Sequence, residues 1–187
     1  NDYDFEWVLE PGKDFQTPEA IMGFSQQGLN GMSQVFHKLL RDRVARGKYQ
    51  YADRPIVINN WEATFFDFDD KKLDQIIDEA KPLGIEMFVL DDGWFGHRND
   101  DNSSLGDWFV NQDKLTGGLK RVADRTHEHG MKFGLWFEPE MISVDSKLYK
   151  KHPDYALHEP NRGMTLSRNQ LVLDFSRKEV VDNIYNQ

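Results

Sequence analysis

The sequence predicts an α/β fold of parallel βα units. Apolar runs at 55–58, 85–90 and 131–137 each pass into a polar or acidic end. A helical pattern follows each run, and strands alternating with crossover helices pair in parallel. The runs are continuously apolar rather than alternating, as in strands buried on both faces.

The elements follow in chain order. Residues 1–30 are short aromatic-rich pieces broken by Pro11-Gly12, Pro18, Gly23 and Gly28, and read as strands or extended linker. Met32, Val35, Phe36, Leu39, Leu40 and Val44 recur at helical spacing and predict an amphipathic helix over about 31–45. Composition shifts near Arg46-Gly47. The first strand ends at Asn59-Asn60-Trp61-Glu62, and the next helix carries Leu73, Ile76, Ile77 and Ala80 before Pro82 and Gly84 stop it. The second strand ends in Asp91-Asp92-Gly93-Trp94. A polar loop from Phe95 to Gly118 leads to a helix striped by Leu119, Val122, Ala123 and Thr126 and closed by Gly130. The third strand ends in Glu138-Pro139-Glu140, and a short helix follows at about 145–151. Tyr155-Ala156-Leu157 and Leu171-Val172-Leu173 flank a turn-rich stretch and read as a hairpin-like excursion. Ser176-Arg177-Lys178-Glu179 has the form of a capping box opening a last helix.

Three βα units cannot close a barrel, which takes roughly 250 residues. Either the sheet is small and open, or these 187 residues belong to something larger; an end inside a freshly capped helix points to the second.

Composition excludes several function classes. The charge is 23 − 32 = −9, against nucleic-acid binding through phosphates. No cysteine is present, which removes disulfides, thiolate metal sites and a cysteine nucleophile. No apolar run approaches the ~18 residues that span a bilayer, and no export signal is visible, so a soluble chain without membrane contact is expected. His127 and His129 are two apart on a helix and face apart. No His-Glu-x-x-His, phosphate-cradling glycine loop or Gly-x-Ser-x-Gly elbow occurs. Asp101 to Gly106 resembles a calcium loop only loosely, because Leu105 has no side-chain oxygen to offer.

In barrels and open α/β sheets, ligands sit at the carboxyl ends of the parallel strands. Here those ends combine carboxylate or amide oxygens with an indole three times over. Such oxygens take polyol hydroxyls and indole faces cover C–H surface, so the pattern suggests a carbohydrate site. Plainer roles stand beside this one. Asp91 and Asp92 could be turn or cap residues, although two adjacent carboxylates call for a partner or a ligand. Trp61 and Trp136 could be core aromatics, and Arg168 a surface charge. Glu138 and Glu140 share a face of extended chain, where support of the site and substrate contact are equally compatible.

At these residues the sequence resembles the α-galactosidases of glycoside hydrolase family 36, the melibiases. Four segments carry the resemblance: Ile58 to Thr64; Leu90 to Gly96 with its sequel Ser103 to Trp108; Gly134 to Met141; and Ser167 to Asp174. It implies a partial (β/α)8 TIM barrel, about strands 1–3 and their helices, preceded by the tail of an N-terminal β-sandwich. Residues 1–50 would be the end of that β-domain and a linker helix, and 51–187 the first part of the catalytic barrel. The implied chemistry is retaining hydrolysis of terminal α-galactose from melibiose or raffinose-type sugars, without metal or organic cofactor. Asp91 and Asp92 would bind galactose hydroxyls, Trp61 and Trp136 would line the sugar site, and Arg168 would add a contact. The family's nucleophile lies in a Lys-Trp-Asp sequence, which this chain does not contain, so no catalytic carboxylate is assigned within it. Resemblance also implies a cytoplasmic homo-oligomer, a tetramer. Alternatives are a related α-N-acetylgalactosaminidase or raffinose-forming transferase, and an inert sugar-binding barrel.

Overall fold

The computed structural model describes residues 5–164, 166 and 168–187. They form two compact units that divide between Asp53 and Arg54.

In the first unit, described residues 5–27 are extended around a turn at Pro11-Gly12 and contain no strand. Phe15 packs its ring against Trp7 and Phe5 at 4.7 and 6.1 Å. Helix α1, Gly28–Leu39, begins three residues before the predicted start and runs on as a wider π-helical turn, Leu40–Val44. Of its apolar stripe, Met32, Phe36 and Leu39 are half-buried, whereas Val35, Leu40 and Val44 are exposed.

The second unit is the predicted α/β arrangement. Strands β1 (Val57–Asn59), β2 (Met87–Leu90) and β3 (Lys132–Leu135) form one parallel sheet in the order β1-β2-β3. Helix α2 (Trp61–Thr64) is a single turn leaving β1, and α3 (Asp70–Ala80) and α4 (Gly118–Glu128) are the crossovers. Asp69 caps α3 by accepting the Lys72 N–H at 2.8 Å. Gly84, at φ 82°, ends the turn after α3 in the left-handed conformation that glycine tolerates best. Leu73, Ile77 and Ala80 of α3 and Val122 of α4 bury against Phe88 and Leu90 of β2, the centre of the larger core. Arg121 bridges to Asp70 and Asp74, and Arg125 to Asp78, lacing α4 to α3 outside that core.

The sheet departs from one expectation. Phe88 and Leu90 are fully buried, but Met87 and Val89 on the opposite face are only half-buried, and Val57 and Leu135 are exposed. Both crossover helices cover the same face, so the apolar runs are sealed on one side only among the described residues. On the open face Gly134 leaves room for Met87, whose terminal methyl lies 2.5 Å from where a β-carbon would stand.

After β3 the chain builds a second core. Strand β4 (Met141–Ser143) pairs antiparallel with β5 (Gln170–Val172), and α5 (Lys147–Lys151) packs beside them. The expected hairpin is one bridge, Ala156 to Leu173, while β4 occupies the other edge of β5. Three residues behind Pro139 are too few to show a period. The last helix, α6 (Lys178–Tyr185), lacks the predicted capping box. Ser176 gives its hydroxyl to Asp174 at 2.6 Å, and Arg177 holds Glu179, so neither side chain reaches back to cap the helix. No helix among the described residues is long and apolar enough to cross a membrane.

Candidate functional site

Hydrogen bonds tie the carboxyl ends of β1, β2 and β3 together. Asn59 donates its amide N–H to Asp91 and accepts the Trp61 N–H at 2.6 Å. Asn60, fully buried, accepts the Asp91 N–H at 2.8 Å and donates to Thr64 Oγ1 at 2.9 Å. Across the other seam, the Trp136 N–H donates to the Leu90 carbonyl, and Trp94 Nε1 donates to the Trp136 carbonyl at 2.9 Å. Asp91 is thereby fixed between the two seams, half-buried. One oxygen faces Asn59 and the other accepts the Asp92 N–H at 2.7 Å.

Asp92 answers the question posed by two adjacent carboxylates. Its partner is Arg98, whose side chain is entirely buried. Nε lies 2.9 and 3.2 Å from the two carboxylate oxygens and Nη2 lies 2.8 Å from Oδ2, while Nη1 donates to the Ser103 carbonyl at 2.8 Å. A carboxylate has about four lone-pair positions, so three contacts leave acceptor capacity on Asp92. The guanidinium also stands over Phe66 and Phe95 at 5.7 and 5.9 Å. Those rings reach the two indoles: Trp61 meets Phe66 edge-on at 4.9 Å, and Phe95 stacks with Trp136 at 6.2 Å. A path of two ring pairs, bridged by the buried guanidinium, thus connects Trp61 to Trp136.

Gly93 makes the turn between Asp92 and this path. It sits at φ 100°, and an added Cβ would stand 3.0 Å from Phe66 and 3.3 Å from Phe68. Gly93→Ala is expected to cost ~1 kcal/mol or more, read as a lower thermal midpoint; an unchanged midpoint would show that the turn relaxes freely.

Arg168 approaches from the segment before β5. It and Asn169 both adopt left-handed conformations, φ 53° and 55°, in a tight turn beside the 95–117 loop. Its guanidinium is half-exposed and 3.6 Å from Asp101. Ser167 lies outside the described residues. Glu138, just past β3, accepts weakly from Gln170 at 3.4 Å. Burial pushes its carboxyl above the usual range, with Glu140 adding to the rise and Arg168 and Arg98 opposing it.

Of the five residues singled out in the sequence, Trp61, Asp91, Asp92 and Trp136 stand at the strand ends and are linked by the contacts just described, whereas among the described residues Arg168 contacts Asp101 and none of those four. Asn59, Asn60, Glu138 and above all Arg98 complete the rim. The asparagines stood in the strand-end motif, whereas nothing distinguished Arg98 from its polar loop. No group of three or more His, Asp or Glu side chains among the described residues could hold a metal ion. A separate cavity of about 430 Å³ along α4, lined by Lys120, Arg121, Asp124, Arg125 and Glu128, has no indole wall.

The family model described as Melibiase matches residues 14–187. The chain belongs to the Melibiase family. Alpha-galactosidase Mel36A of Lactobacillus acidophilus is 61% identical over 187 residues, covering 100% of this chain and 26% of that relative. Alpha-galactosidase AgaA of Geobacillus stearothermophilus is 58% identical over 184 residues, 98% of this chain and 25% of the relative. The crystal structure of an AgaA variant in complex with raffinose superposes with a TM-score of 0.90 at 57% identity, covering 100% of this chain and 26% of that one. The chain thus spans about a quarter of the length of these Melibiase relatives.

Proposed function

We propose that this chain is the sugar-recognition part of an α-galactosidase that removes terminal α-galactose from melibiose and raffinose-type oligosaccharides. The observation that carries the reading is the single rim made by three parallel strand ends, with acidic oxygens set between two indoles. In this reading Asp91 and Asp92 accept galactose hydroxyls, Trp61 and Trp136 cover the C–H face of the ring, and Arg168 adds a donor at the margin. Glu138 supports that margin. AgaA variants crystallised with raffinose and with stachyose support the substrate class.

The reaction in this proposal is retaining, with one carboxylate forming a glycosyl-enzyme and a second acting as acid and then base. In this reading both carboxylates lie outside these 187 residues: the chain contains no Lys-Trp-Asp for the nucleophile, and the family resemblance sets the acid/base Asp further along the barrel. Residues 51–187 are then the first part of a (β/α)8 barrel, a reading supported by sequential parallel strands with both crossovers on one face. Residues 1–50 are the end of an N-terminal β-domain and its linker helix. A cytoplasmic homotetramer belongs to the same proposal and rests on family resemblance alone.

The full-length protein carrying this chain is expected to release galactose from raffinose. The isolated 187-residue chain is expected to release no nitrophenol from a nitrophenyl α-galactoside. Release by the isolated chain would place a reacting carboxylate within it. A full-length protein that binds galactose without turnover would instead be the inert sugar binder, and preference for an N-acetylated or transferred galactose would mark the related specificities.

A further inference from the structure

We propose that Lys114 is a positioning residue for the sugar site, setting the separation between its Trp61 side and its Asp91-Asp92 side; the proposal rests on the α-galactosidase reading above. Lys114 lies in the loop between β2 and α4, and its half-buried ammonium donates to three backbone carbonyls. These are Phe66 at 2.9 Å, Gly93 at 3.0 Å and Arg98 at 3.0 Å. Phe66 holds the Trp61 ring edge-on, Gly93 follows Asp92 directly, and Arg98 clamps the Asp92 carboxylate. One cation therefore joins the segment leaving β1 to both parts of the turn leaving β2.

The residue type suits the task. An ammonium has three donors and rotates freely, so it can meet three converging carbonyls, which a planar guanidinium cannot match. The Phe68 ring lies under the charge at 4.7 Å. The backbone of Lys114 is itself anchored, since its carbonyl accepts the N–H of Asp70 at the start of α3, 3.1 Å away. Burial pushes the ammonium below the ordinary lysine range, and the nearby Asp92 and Asp67 carboxylates oppose that shift. A lysine that merely stapled a loop to the core would have no need to contact both sides of the rim.

The test uses the full-length protein and the variant Lys114→Met, which keeps the length of the side chain and removes its donors. Displacing the two sides is expected to raise KM for a nitrophenyl α-galactoside on the order of tenfold. The inhibition constant for free galactose is expected to rise in parallel, with a smaller change in kcat. A merely structural lysine behaves differently: its loss lowers the folded fraction, and so the apparent kcat, while KM and galactose inhibition stay within about twofold. That second pattern overturns the proposal. If Lys114→Met does not fold, Lys114→Arg keeps the charge but loses the three-way geometry, and both constants are expected to rise there too. Unchanged constants in that variant overturn the proposal equally. If the wild-type protein neither hydrolyses the galactoside nor binds galactose, the reading of the site fails instead.

Discussion

Replacing Arg98 by Met is expected to destabilise the protein by about 3–5 kcal/mol, the usual cost of stripping one partner from a buried ion pair. Asp92 and Arg98 exclude water from each other, with side-chain exposures of 6% and 0%. Removing the guanidinium leaves a carboxylate among Phe66, Phe95 and the Gly93 turn, where it must either remain ionised without compensation or take up a proton. The Ser103 carbonyl loses a donor as well. Denaturant unfolding of the full-length protein measures the loss. Adding Asp92→Asn to the Arg98→Met background is expected to recover much of it, because the orphaned charge is then gone. A loss below ~1 kcal/mol would show that the pair behaves like a surface salt bridge, with water at the rim compensating the orphaned carboxylate.

The second large effect falls on ligand affinity. Asp91→Asn is expected to weaken galactose binding by about 1–3 kcal/mol, roughly five- to more than a hundredfold, measured by titration calorimetry on the full-length protein. In the wild type one oxygen of Asp91 faces the Asn59 amide and the other accepts the Asp92 N–H. An asparagine has one carbonyl oxygen, so its NH₂ must face one of those two donors. The variant either loses an internal bond or turns the side chain away from the sugar. If affinity stays within twofold, Asp91 is a local turn residue and the carbohydrate reading of the rim is wrong.

The fold was largely legible because burial leaves a periodic trace. Leu73, Ile77 and Ala80 mark α3, and Phe88 and Leu90 mark the centre of the sheet. What escaped the sequence was non-local or too short to repeat. Strand β4 has three residues, and its partner is about thirty positions away. The capping-box pattern at Ser176 was outcompeted by Asp174, an acceptor just upstream. At the site, Trp61, Asp91, Asp92 and Trp136 were visible because strand ends are where such side chains collect. Arg98 and Lys114 were not, since a buried cation in a polar loop has the same sequence signature as a solvated one. Only the carbonyls and the carboxylate facing them distinguish the two cases.

The sheet order follows the chain order: residue 57 pairs with 87, and 87 with 132. Each segment emerging from the ribosome therefore meets a finished neighbour rather than waiting for a distant one. Growth can proceed one βα module at a time, with little loop-closure entropy lost at each addition. Asn60 and Asp91 would meet as soon as the second module docks, so this part of the rim could be assembled while the remainder of the polypeptide is still being translated.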